Sequence, residues 1–208
     1  MTEAKMQKAD ELLALDEAAL IRIVEAPGAS VFQKNVACRR LAVIGTKQCV
    51  PALVALLGDA KLAHYARFAL GPNPDPSVDE ALRGQLGKLK GALLVGVVNT
   101  IGQRRDAAAV EPLAKLLHDR DAEVAAAAAA ALGAIGGPTA ARHLRVALAK
   151  SRDAARAAVA DAGLVCAERL LAAGDRQGAL ALYETLSRSD MPKPVRMAAR
   201  HSANLAES

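Results

Sequence analysis

Apolar pairs one helical turn apart return along the chain at nearly constant intervals: Leu53/Leu57, Leu82/Leu86, Leu113/Leu117, Leu144/Leu148 and Leu182/Leu186. Their first members are separated by 29, 31, 31 and 38 residues. A second series, Leu41, Leu70, Val98, Leu132 and Leu170, runs ahead of the first by 12, 12, 15, 12 and 12 residues. An i, i+4 apolar pair lies on one face of an α-helix. Two such helices in every unit of about thirty residues define stacked helix pairs, each burying its stripe only against its neighbours. The pattern predicts an all-α fold, a right-handed α-α superhelix of about five helix pairs with helical caps. Such a fold builds surface in place of an enclosed reaction chamber.

Polar punctuation places the ends of these helices. Asp16 precedes Glu17-Ala-Ala-Leu-Ile-Arg-Ile-Val24 as an N-cap, and Pro27-Gly28 ends that helix. A short helix over Asp10–Leu15 comes before it. Residues 1–29 therefore read as an N-terminal helical cap. Ser30 and Gln33 have capping-box spacing at the head of a helix that runs to Ile44 and stops at Gly45. Pro51 falls in a first helical turn, where its missing N–H costs least. Residues 30–151 then hold repeats one to four. The turn of repeat two, Gly71-Pro-Asn-Pro-Asp-Pro-Ser77, is too proline-rich to continue a helix. The run Ala125 to Ala131, flanked by Val124, Leu132 and Ile135, reads as one tightly packed helix. Residues 152–208 form a longer fifth repeat and a capping helix: Asp153 to Ala173, a Gly174-Asp175 turn, Gln177 to Ser187, the break at Met191-Pro-Lys-Pro194, and Val195 to Leu205.

Several of these segments resemble a known family. Leu41-Ala-Val-Ile-Gly45 before Val50-Pro-Ala-Leu-Val-Ala-Leu-Leu57 looks like a HEAT repeat, as does Val98-Asn-Thr-Ile-Gly102 with Val110-Glu-Pro-Leu-Ala-Lys-Leu-Leu117. Asp121-Ala-Glu-Val124 with Ala131-Leu-Gly-Ala-Ile-Gly136 and His143-Leu144 is similar to the bacterial HEAT-like repeats also described as phycobilisome-lyase type. The resemblance covers residues 30–150 well and 150–208 more loosely. Leu170 to Tyr183 also resembles a tetratricopeptide turn, although its first helix is about a turn too long. The resemblance implies fold; repeats of this kind serve unrelated functions.

Composition changes the picture in two ways. Apolar residues are 52% of the chain and aromatics 2%, so the core is built of Ala, Leu and Val. The net charge is +5, but residues 1–30 carry −3 and the remainder +8. No run of five like charges forms a nucleic-acid arm. Cys38, Cys49 and Cys166 show no metal spacing and read as small core hydrophobes; Cys38 and Cys49 fall near each other across one helix pair, and a disulfide between them requires an oxidising compartment. The N-terminus lacks a signal-peptide pattern and no 18-residue uncharged apolar run exists, so the expectation is a cytoplasmic chain with no membrane span.

Chemical motifs do not add up to an enzyme. HEAT-like proteins resembling deoxyhypusine hydroxylase bind di-iron through His-Glu pairs, whereas the histidines here are His64-Tyr65, His118-Asp119, His143-Leu144 and His201-Ser202. There is no G-x-S-x-G, no P-loop, and the glycines are expected where repeats turn. A base-stacking groove is disfavoured by only four aromatics, of which Phe32 and Phe68 fall on apolar positions. The repeat type raises a bilin-lyase accessory role, for which no chromophore pocket is visible. The expectation is a non-enzymatic scaffold without metal or cofactor. It binds a protein or peptide, with nucleic-acid association as the alternative.

The candidate surface lies on the second helix of each repeat, which usually lines the concave face of HEAT-like stacks. Positions around the ladder give Val54, Arg83, Ala114, Arg145 and Tyr183; Ala55, Gly84, Lys115, Val146 and Glu184; and Pro51, Glu80, Glu111, Arg142 and Leu180. This strip is apolar in repeat one and basic near Lys115, His118, Arg142 and Arg145. Mixed character suits a peptide or helix better than a phosphate backbone. Arg104 and Arg105 occupy the insertion that stretches the ladder gap to 15 residues. Either they and Asp106 cap the flanking helices, or the two arginines offer guanidinium forks to an anion or acidic peptide. The candidate partner-binding residues are thus Arg83, Lys115, His118, Arg142, Arg145, Tyr183, Arg104 and Arg105. His64, Tyr65 and Arg67 form a further polar cluster, read as tying the proline-rich turn to its helix.

Overall fold

The computed structural model describes residues 9–188 and 190–207. Among these residues every regular element is helical. The chain divides into two compact units, Met1–Thr100 and Ile101–Ser208.

Unit 1 holds α1 (Glu17–Glu25), α2 (Val31–Ile44), α3 (Val50–Ala55), α4 (Ala63–Leu70), α5 (Ser77–Arg83) and the larger part of α6 (Gly91–Arg104). Residues 9–13 are also helical. Unit 2 holds the end of α6, then α7 (Val110–Leu116), α8 (Ala122–Ile135), α9 (Gly137–Lys150), α10 (Asp153–Ala172), α11 (Arg176–Leu186) and α12 (Lys193–Glu207). Within each unit the packing is layered. First helices lie on first helices, α2 on α4 and α8 on α10. Second helices lie on second helices, α3 on α5, α7 on α9 and α9 on α11. This is the arrangement of a HEAT-like helical repeat.

The ladders explain that packing. Leu41, Leu70, Val98, Leu132 and Leu170 are all buried, as are Leu53, Leu82, Leu113, Leu144 and Leu182. Each buried leucine contributes roughly 1.5–3 kcal/mol. The second members are less uniform: Leu57, Leu148 and Leu186 are buried, but Leu86 and Leu117 are half-exposed. α5 and α7 end at Arg83 and Leu116, and residues 86 and 117 lie in the turns beyond them. Helix length alone does not set the difference, because Leu57 also lies beyond its helix, in a 3-10 turn, and is buried.

The caps follow the side chains. Asp16 Oδ1 accepts from the Ala19 N–H at 2.8 Å. The Gln33 N–H donates to Ser30 Oγ at 3.2 Å, and the Ser30 N–H donates to Gln33 Oε1 at 2.9 Å, a complete capping box. Pro51 sits in the first turn of α3, which is preceded by a 3-10 turn over Lys47–Cys49. At the far end the last helix begins at Lys193, two residues before the expected Val195, because Pro194 is tolerated in a first turn.

Three local expectations are corrected. The glycines do not all mark turns: Gly96, Gly102, Gly133 and Gly163 lie inside helices. A Cβ on Gly102 would meet the Ala131 Cα at 2.8 Å, and one on Gly133 would meet the Ala162 carbonyl oxygen at 2.5 Å, so these glycines let helix backbones touch. Phe68 is 54% exposed instead of taking a core position. The proline-rich turn is anchored by Asn73, not by Tyr65 or Arg67. Asn73 Nδ2 donates to the Thr46 carbonyl at 3.1 Å, and Asn73 Oδ1 accepts from the Asp75 N–H at 3.0 Å. The Arg67 guanidinium instead lies over Gly96, where a Cβ would fall 2.3 Å from its Cζ.

The cysteines are free and buried. Burial pushes the Cys38 thiol up to about 12, with the neighbouring Cys49 adding to the effect and Lys34 opposing it. Cys49 and Cys166 rise to about 11, again through burial first.

Candidate peptide-binding groove

Packing second helix against second helix leaves a groove in each unit. In unit 1 the groove runs between α3 and α5 and has a volume of 720 Å³. Its walls include Pro51, Val54, Glu80 and Gly84, four strip positions expected from the ladder, with Lys47 and Lys88 at the rim. In unit 2 the groove lies between α9 and α11 and has a volume of 560 Å³.

The unit 2 groove follows from the periodicity of α9. Leu144 and Leu148 face the core, so Arg142, Arg145, Val146 and Ala149, at i, i+3, i+4 and i+7, share the opposite face. The other side brings Thr185 and Arg188 from α11 and the turn after it, and the first turn of α10 adds Arg156. Met191 is buried and supplies apolar lining. Four arginines thus converge on a patch with an aliphatic floor, opposed within the lining by Asp190 alone among carboxylates.

The four differ in their partners. Arg156 donates from Nη2 to Asp190 Oδ2 at 2.5 Å, and its side chain is 22% exposed. Arg188 Nε lies 3.8 Å from Asp190 Oδ1. Arg142 reaches Glu111 Oε1 at 3.4 Å, and the same oxygen meets His143 Nε2 at 3.0 Å. The His143 hydrogen bond, then the charges of His143, Arg142 and Lys115, hold the Glu111 carboxyl below the usual carboxylate range. Arg145 is exposed and has no hydrogen bond or ion pair among the described residues.

The other candidates fall elsewhere. Lys115 is exposed on α7, one turn after Glu111. His118 lies on the turn after α7 and lines a separate trough of 360 Å³, floored by Ala122, Ala125, Ala126 and Ala158 and rimmed by Arg120 and Lys150. Nothing in an alanine-rich sequence marks such a trough, because the same residues serve as close-packing helix formers. Arg83 is half-buried on α5 and engaged in an interaction. Arg104 closes α6 and is likewise engaged.

One candidate and one turn are corrected. Tyr183 is 1% exposed and belongs to the core. Burial pushes its phenol above the ordinary value. Position 183 follows Leu182 directly, and α11 is covered by both α10 and α12, which closes the side that was expected to be open. The turn expected to start at Gly102 starts at Arg105. Its φ is 56°, its N–H donates to the Gly102 carbonyl at 3.1 Å, and the Asp106 N–H donates to the Ile101 carbonyl at 3.4 Å. This is a Schellman closure with arginine in the left-handed position. Asp106 then caps the next turn, accepting from the Ala108 N–H at 3.0 Å.

Residues Arg156, Arg188 and Asp190 were not singled out by the ladder. Arg156 belongs to a first helix and Asp190 to a loop, and only packing carries them to the strip.

These features define a class: an all-α helical-repeat protein whose second helices line grooves. Residues 80–162 match the family model for HEAT repeats. The chain is also similar to an engineered protein of known crystal structure, with a TM-score of 0.55 and 20% identity over 93% of this chain and 97% of that one. That likeness concerns the fold. No curated protein matches the chain. Among the described residues no helix is long and apolar enough to cross a membrane.

Proposed function

We propose that the protein is a non-enzymatic scaffold that docks an acidic protein segment in the groove between α9 and α11. The observation that carries this reading is Arg145. It stands exposed and unpartnered among the described residues, beside the exposed Val146, on the wall facing Arg156 and Arg188. An arginine fork binds carboxylates in two parallel hydrogen bonds, and an adjacent aliphatic floor receives the apolar side of an amphipathic segment. Glu111 and Asp190 break the basic strip, which suits discrete carboxylates better than a continuous phosphate backbone.

Fluorescence polarisation with a fluorescein-labelled glutamate/leucine amphipathic peptide tests the reading. Arg145→Glu combined with Arg142→Glu weakens binding by about tenfold or more, in keeping with a loss of charge-assisted hydrogen bonds. Equal binding by the double variant and the parent protein removes this surface from consideration. Duplex DNA serves as the contrast: a complex whose affinity falls by orders of magnitude between low and moderate salt favours the nucleic-acid alternative.

A further inference from the structure

Resting on the acidic-segment reading, we infer that Asp190 is a built-in competitor that occupies Arg156 and Arg188 of the α9–α11 groove until a partner carboxylate takes its place. One carboxylate already bridges two of the groove arginines, through Oδ2 to Arg156 and Oδ1 toward Arg188. A chain that places its own carboxylate there shows which ligand chemistry this arginine pair accepts.

The fit of Asp190 is incomplete. Arg156 Nε is buried with no hydrogen-bond partner, so Asp190 uses one N–H of a fork shaped for two parallel bonds. Its second oxygen is 3.8 Å from Arg188 Nε, beyond hydrogen-bond length. A carboxylate arriving on a separate segment is free of the geometry that the turn between α11 and α12 imposes, and it engages both N–H groups of Arg156.

Displacement is local. The Asp190 side chain is 46% exposed, whereas the next residue, Met191, is buried and pins the turn. Arg196 Nη1 donates to the Met191 carbonyl at 3.1 Å and fixes the start of α12 independently of Asp190. Rotation of one side chain therefore frees Arg156 and Arg188 from their carboxylate without undocking a helix. At Arg156 the exchange replaces one carboxylate with another, and its gain is limited to the Nε hydrogen bond that Asp190 leaves unmade. Net affinity comes from Arg145 and the aliphatic floor, while tethered Asp190 competes at high effective concentration.

The experiment uses the full chain and the same glutamate/leucine peptide. Asp190→Asn and Asp190→Ala bind it about three- to tenfold tighter than the parent protein, the range expected for removing a partly exposed competing ion pair. Unchanged or weaker binding by both, with thermal melts matching the parent, overturns the competitor role; the groove reading then survives as long as Arg145→Glu still weakens binding. Equal binding by Arg145→Glu overturns the groove reading and the competitor role together, as does an absence of binding by every variant. Hydrogen-exchange mass spectrometry of the unmutated protein supplies a second measurement that does not depend on variants folding. Saturating peptide protects α9 and leaves exchange in α12 unchanged, and faster exchange across α12, the mark of an undocked helix, overturns a displacement confined to one side chain.

Discussion

The backbone of Gly133 on α8 lies directly against that of Ala162 on α10, so close that a Cβ at position 133 would fall 2.5 Å from the Ala162 carbonyl oxygen and 3.1 Å from its Cα. The obstacle is backbone, which cannot swing aside. Gly133→Ala gains about 1 kcal/mol of helix propensity but must push two helices apart, at about 1–3 kcal/mol. The expected net result is destabilisation, read as a lower urea midpoint. Gly163 is the control. There the nearest atoms are the terminal methyls of Leu186 at 3.3 Å, a flexible side chain, so Gly163→Ala is expected within about 1 kcal/mol of the parent.

Ladder leucines are not equivalent, and the inequality is measurable. Leu144 is fully buried, and Leu144→Ala is expected to cost about 2–5 kcal/mol through the cavity it leaves. Leu117 is half-exposed beyond the end of α7. Leu117→Ala is expected to cost less than half as much in the same denaturation experiment. Equal losses would contradict the observed register.

Asn73 joins two turns of unit 1. Asn73→Ala removes its donation to the Thr46 carbonyl and its acceptance from the Asp75 N–H, at a buried position. The expected cost is about 1–3 kcal/mol. Hydrogen exchange should quicken around residues 45–49 and 71–77 in that variant, and unchanged exchange there would show that contacts other than those of Asn73 hold the turn.

Arg105 carries a positive φ that glycine adopts without strain. Arg105→Gly is expected to stabilise the chain by about 0.5–1 kcal/mol, because relief of the left-handed strain exceeds the added chain entropy of glycine. Arg105→Ala keeps the strain and should show no gain. A gain with alanine would locate the effect in the guanidinium instead of the backbone.

The buried thiols set an alkaline limit. Cys38, Cys49 and Cys166 have folded values of about 12, 11 and 11, all above the ordinary thiol value. A group raised on folding contributes stability that is fully present below its unfolded value and is lost as pH rises through the folded one. Denaturant midpoints should therefore fall between about pH 9 and pH 12. Cys166→Ala should flatten that decline. Iodoacetamide should also label the parent slowly at pH 8 and rapidly once urea unfolds it.

The all-α class, the pairing of helices and the inward set of leucines were legible because they depend on periodicity, which is a property of chain order. Ser30 with Gln33, Asp16 and Asp106 were legible as caps for the same reason: each acts within three residues of itself. Arg142 and Arg145 could be placed on an outward face because their positions follow from Leu144. Tyr183 could not, since whether a helix flank is open depends on which later helix covers it, and α12 does. Asn73 and Thr46 are 27 residues apart, and no local rule joins them. Asp190 reaches Arg156 across 34 residues, a meeting created by the docking of α11 on α10. Sequence alone thus determined the helices and the faces they bury, since both are set by steric and hydrophobic periodicity over a few turns. Tertiary structure alone decided which polar groups meet, since ion pairs and close glycine contacts form only after distant helices have packed.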